Sequence, residues 1–134
     1  MATWLRKTEP SAYAFADLVR ERSTAWTGVK NAQARLHLRA MRAGDLVAVY
    51  HTGDEKAAVG LAKVARAAYP DPSGGPAGAC VDLKAGARLA APVTLAALKA
   101  EPAFAASPLV TQGRLSVVPL TAAQWKVLLR LGKG

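Results

Sequence analysis

The chain has 134 residues, with 18 Lys or Arg against 9 Asp or Glu and a formal net charge of +9. That length suits a single domain over residues 1–134 with a real core, and one cysteine, Cys80, excludes an internal disulfide framework and fits a reducing, cytoplasmic setting. Two histidines, His37 and His51, leave too few soft ligands for a structural zinc site, no apolar run approaches the roughly 20 residues that cross a bilayer, and Lys7 and Glu9 interrupt any apolar leader.

Residues 2–7 read as a short strand around Thr3-Trp4-Leu5, stopped by Glu9-Pro10 because proline cannot continue a ladder. Phe15, Leu18 and Val19 follow at helical spacing, with Asp17 in the first turn where a negative charge favours the dipole. The stretch from Trp26 to Met41 opens on an aromatic and a glycine, then passes into a helix whose first turn holds Asn31. Arg35, Arg39 and Arg42 make a basic stripe along it, and Ala34, Leu38 and Met41 an adjacent apolar one. Read alone, this stretch is equally an ordinary amphipathic helix after a turn, with Trp26 in a core.

Gly44 closes that helix, and residues 46–51 form an apolar run suited to a strand buried on both faces. After a polar turn at 52–56, residues 57–67 complete a hairpin, with Gly60 allowing another group to approach closely. Residues 69–76 read as a loop from their Pro and Gly content. Val81, Leu83, Ala85, Ala87 and Leu89 alternate with Asp82, Lys84, Gly86 and Arg88, as a half-buried strand does. Thr94 is placed to cap a short helix at 95–98, and 101–112 is irregular. A last strand at 115–118 ends at Pro119. Thr121 and Gln124 then have capping-box spacing, opening a helix that buries Trp125, Leu128 and Leu129. This irregular alternation predicts a mixed α+β, mainly β fold: a mostly antiparallel sheet curled into a small barrel and flanked by short helices.

A domain this basic attracts polyanions, of which nucleic acid is the commonest in cells. The basic residues are spread along the chain, so a surface shaped for solubility is the alternative. No nucleophile pairs with a base: Cys80 reads as an inert strand cysteine, and Ser116 lies outside any nucleophile elbow. His51 is either a hydrogen-bonded structural group or a general base. No catalytic residue, metal site or cofactor is expected. Nucleobase binding needs stacking aromatics, polar edge readers and phosphate-binding cations. Trp4, Tyr13, Trp26, Tyr50 and Tyr69 are candidate platforms, each of which could equally be core.

Several segments resemble EVE domains in order along almost the whole chain. They are Trp4-Leu5-x-Lys7-Thr8-Glu9-Pro10, Tyr13-x-x-x-Asp17-Leu18, Trp26-x-Gly28-Val29-Lys30-Asn31-x-Gln33-Ala34-Arg35, Leu38-Arg39-x-Met41-x-x-Gly44-Asp45, Tyr50-His51-Thr52, Tyr69-Pro70-Asp71 and Gln112-Gly113-Arg114-Leu115-Ser116-Val117-x-Pro119. The resemblance implies a PUA-like open β-barrel of about five to six strands, related to YTH and ASCH domains. It also implies a non-enzymatic module that reads a modified nucleobase in DNA or RNA. Trp26 would then wall the base, Thr8, Glu9 and Asn31 would read or orient its edge, and His51 and Thr52 would close the pocket floor. Lys7, Gly28, Val29 and Tyr50 complete the candidate base-binding set, and Lys30, Arg35, Arg39 and Arg114 are the candidate phosphate partners. The chain departs from the family pattern at Ala14, where a serine cap is usual, and at Lys30, where an arginine is usual. The segment from Pro72 to Cys80 is shortened and lacks the usual tryptophan, which implies a half-open pocket. An enzyme acting on a nucleoside-like molecule through His51 or Glu9, or an interaction module with incidental charge, are the alternatives. Oligomeric state, the modification and the strand type stay open at this level.

Overall fold

A computed structural model describes residues 1–133. In chain order these form β1 (Thr3–Thr8), α1 (Phe15–Glu21), β2 (Ser23–Trp26), α2 (Ala32–Ala40), β3 (Leu46–His51) and β4 (Ala57–Pro70). They continue with β5 (Ala79–Thr94), α3 (Leu95–Lys99), α4 (Pro108–Thr111), β6 (Val117–Leu120) and α5 (Ala122–Leu131). The strands make one six-stranded sheet in the order β2-β5-β4-β3-β1-β6. β1 runs parallel to β3, and the other described pairs are antiparallel. The sheet stays open, with β2 and β6 as its edges. The parallel pair follows from the long crossover α1–β2–α2, which a hairpin could not replace.

The sheet is larger than the sequence pattern predicts. β2 is an added strand: Ser23-Thr24-Ala25-Trp26 is too short to show a period, and its pairing with β5 defines it. β4 and β5 run on together to the Tyr69↔Cys80 and Pro70↔Ala79 pairs, so Pro70 ends a strand instead of opening a loop. There its missing N–H costs the ladder little. β5 likewise passes through Pro92, because the register breaks between the Ala58↔Val93 and Gly60↔Arg88 pairs. The region read as irregular holds α4, capped by Ser107, whose hydroxyl accepts from the Leu109 N–H.

One packing contact locks the first half of the chain. Phe15 and Leu18 of α1 are fully buried, whereas Val19, expected beside them, is 46% exposed. Phe15 seats its ring directly over Gly60: a β carbon there would meet the ring atoms at 2.3–2.5 Å. Ala14 offers no side-chain cap to α1, and the Asp17 carboxylate instead accepts from the Ala14 N–H at 2.8 Å. Trp4 is also structural. Its indole N–H donates to Asp45 Oδ2 at 3.1 Å, tying β1 to the turn before β3.

Candidate nucleic-acid site

The segment between β2 and α2 is built by three locks. Gly28 takes φ +85°, which side-chain-bearing residues rarely adopt, and its N–H donates to Asp71 Oδ2 at 2.9 Å. The Val29 carbonyl accepts from Arg35 Nε at 2.8 Å. Asn31 is not inside the helix but caps it, its Oδ1 accepting from the Ala34 N–H at 2.9 Å. Asp71 is buried and also accepts from the Ser73 N–H and hydroxyl through Oδ1. These donors, the Gly28 N–H first, hold its carboxyl below the ordinary value. The shortened loop after β4 is thus fastened to the turn that carries Trp26.

The basic stripe of α2 has a different task from the one its spacing suggests. Arg35 also donates to the Gly74 carbonyl, and Arg39 donates to the Ala77 carbonyl. Both guanidinium groups clasp the 71–78 loop. Lys30 and Arg114, the other predicted phosphate partners, are exposed.

Trp26 is only 7% exposed. Tyr13 meets its ring edge-on at a centroid distance of 5.3 Å, and Arg6 Cζ lies 4.8 Å from its centroid. Beside it opens a cavity of about 260 Å³ lined by Tyr13, Thr24, Ala25, Trp26 and Thr27. The Tyr13 hydroxyl donates to Glu21 at 2.6 Å, and burial, with that bond, pushes its pKa up to about 12. Its carbonyl accepts from Thr8 Oγ1 at 2.6 Å, which fixes the end of β1 against this recess.

Strand alternation divides the predicted base-binding set between two places. Thr8 and His51 are paired across β1 and β3 and belong with Arg6 and Val49 on the side of Trp4 and Trp26. Lys7 and Tyr50 occupy the intervening positions, so they face the other way. There Lys7 Nζ donates to the Gly113 carbonyl at 2.9 Å and lies 5.8 Å from the Tyr50 ring. Those two residues and Thr52 border a second cavity of about 160 Å³. Thr52 bridges the ends of the strands, with its hydroxyl 3.3 Å from both the Thr8 carbonyl and Glu9 Oε2.

His51 uses both ring nitrogens within the protein. Nε2 accepts from the Phe15 N–H at 2.9 Å, which puts the proton on Nδ1, 2.7 Å from Glu55 Oε1. To act as a base it would first have to release Phe15. Tyr69 is likewise occupied, its hydroxyl donating to Asp82 and its ring lying 3.8 Å from Arg66 Cζ.

Arg6 and Asp71 are the contributors that sequence reasoning passed over. Asp71 looked like a loop residue. Arg6 is an unassigned position between Leu5 and Lys7 in the sequence pattern, although its i, i+2 relation to Trp4 puts it on the inward side of β1.

Fold and site together define a PUA-like domain with a tryptophan-walled recess where β2 leads toward α2. The chain belongs to the EVE domain family, whose sequence model matches residues 2–131. An NMR structure of Rpa0253 from Rhodopseudomonas palustris is 46% identical, with a TM-score of 0.91 over 98% of this chain and 93% of that one. The human THYN1 protein in complex with DNA containing 5-methylcytosine is 29% identical, with a TM-score of 0.89 over 100% of this chain and 99% of that one. By sequence, thymocyte nuclear protein 1 of Homo sapiens is 38% identical over 80 residues, 51% of this chain and 36% of that protein. The match therefore spans about a third of that relative's length. An ASCH protein from Zymomonas mobilis, 12% identical with a TM-score of 0.65 over 96% of this chain and 97% of that one, shares the fold.

Proposed function

We propose that this chain is a non-enzymatic nucleic-acid-binding module that reads a modified nucleobase through the recess beside Trp26. The observation that carries the reading is the likeness, over the whole of this chain, to a structure of human THYN1 in complex with DNA containing 5-methylcytosine. The chemistry of the chain supports it. The net charge of +9 attracts a phosphate backbone. Tyr13 and Trp26 offer aromatic surface, and Thr24 and Thr27 put polar groups around it. A flipped base costs a few kcal/mol to extrude, and stacking returns about 1–3 kcal/mol. The engagement of both His51 nitrogens favours binding over proton transfer.

The test is titration of matched oligonucleotides with and without 5-methylcytosine at two salt concentrations. The modified strand is expected to bind more tightly, and both affinities to fall with salt as counterions are released. Trp26→Ala should remove the preference while the circular dichroism spectrum keeps its folded shape. Equal affinities for the two strands, unchanged in Trp26→Ala, would refute the reading.

A further inference from the structure

We propose that Arg6, whose guanidinium lies over the Trp26 ring, is the specificity-determining cation for a base that carries a carboxylate substituent. The proposal rests on the base-reading function above. Arg6 is 5% exposed, yet its Nε and NH1 have no hydrogen-bond partner among the described residues. A guanidinium presents two forks, one using Nε and one using NH1. Neither is closed by a hydrogen bond from the described residues, although both atoms are shielded from solvent. The ion pairs among the described residues join Asp17 to Arg20 and Glu101 to Arg130, neither of which involves Arg6.

The group stays charged. Burial pulls its pKa down to about 9, which leaves it protonated at neutral pH. A buried cation without a counter-charge opposes folding, and the Trp26 face 4.8 Å away offsets only part of that. An anion is the partner that completes such a site. A carboxylate on a planar base supplies two oxygens spaced for a guanidinium fork. Its base ring can lie along Trp26, and its charge cancels that of Arg6. Desolvation strengthens the pairing once it forms. Entry requires Tyr13 to swing off Trp26, breaking its exposed bond to Glu21.

The experiment uses three oligonucleotides of one sequence, with a central cytosine that is unmodified, 5-methylated or 5-carboxylated. Each is titrated against the whole chain and against Arg6→Met by fluorescence anisotropy. The natural chain is expected to prefer the carboxylated strand over the methylated one by roughly 10- to 100-fold, the range for hydrogen bonds to charged groups. Arg6→Met should bring that ratio to within about 2-fold. Because the readout is a ratio, a loss of active protein does not move it. Should Arg6→Met fail to fold, Arg6→Gln, which is polar but neutral, must lower the ratio about 10-fold. Loss of the ratio in either variant supports the assignment. A natural chain that prefers methylated over unmodified strand, but not carboxylated over methylated, overturns the role of Arg6 and leaves base reading intact. So does a ratio that survives the substitution. Equal binding of all three strands, or none, overturns base reading itself.

Discussion

Gly60→Ala tests whether this glycine is the notch that seats Phe15. A β carbon there meets three ring carbons at 2.3, 2.4 and 2.5 Å, far inside the roughly 3.5–4.0 Å at which carbon atoms pack best. Phe15 is fully buried, so the ring has no solvent to retreat into. Forcing such a group aside costs about 1–3 kcal/mol, and losing its packing altogether about 3–5 kcal/mol. Alanine in a strand returns roughly 0.5–1 kcal/mol of that over glycine. The expected net loss is about 2 kcal/mol, with a ceiling near ~4 kcal/mol. With a urea dependence of roughly 2 kcal/mol/M, the unfolding midpoint falls by about 1 M. Tryptophan fluorescence during urea titration reads it directly. Adding Phe15→Leu should recover part of the loss, a coupling of about 1 kcal/mol between touching residues. A Gly60→Ala midpoint within ~0.2 M of the natural chain, on the same urea dependence, would refute the packing argument.

Arg6→Met should stabilise the protein, by about 1–4 kcal/mol, because it removes a buried charge without a partner; a lower urea midpoint would show that the charge is compensated. Acid should act through Asp45 and Asp71, both held below the ordinary carboxylate pKa. For Asp45, burial pushes the value up, and donation from the Arg42 N–H, the Trp4 indole and the Ala2 N–H outweighs it. A depressed carboxylate contributes stability above its unfolded pKa and loses it as pH falls through the folded one. Beneath an earlier decline from His37, whose imidazole is held by burial below its ordinary value, the contribution of these two carboxylates should thus be flat from neutral pH down to about 5 and decline below about 4. Asp45→Asn should flatten that decline in urea midpoints measured against pH, and an unchanged slope would remove Asp45 from the account.

Much of the frame could be read from side-chain periodicity. The 46–51 run, the hairpin partner after it and the alternation at 81–89 all became strands, because each carries its pattern over several residues. β2 escaped notice because four residues give no period, and only the antiparallel pairing to β5 makes them a strand. The predicted base-binding residues share a sequence pattern but do not share one place in the fold. Lys7, Thr8, Tyr50 and His51 are sequence neighbours in pairs, and a strand sends such neighbours to opposite sides. Arg35 and Arg39 read as a free basic stripe, since nothing local announces that the carbonyls of a distant loop will meet them. Trp26 lines a recess of about 260 Å³, and yet it is also core: the ring is nearly buried and only borders the opening. Arg6 shows the opposite failure. A cation inside a sheet contradicts hydrophobic patterning, and such local contradictions gather where function competes with stability.

The clasp on the 71–78 loop has a consequence for how this surface can change. Arg35 and Arg39 grip carbonyl oxygens, and every amino acid supplies one. The grip is therefore blind to the loop's own side chains. Asp71 adds an anchor at the loop's first position, also directed at a backbone N–H. Between these fixed points, Pro72, Pro76 and Ala77 can drift in composition while the fastening to α2 persists, whereas Gly74, where a β carbon would meet the Gly78 Cα at 2.7 Å, and Gly75, at φ +68°, hold the turn's shape. The loop is a graft position. New side chains placed at those three positions are delivered next to the Trp26 turn on a frame kept by the glycines and the backbone bonds.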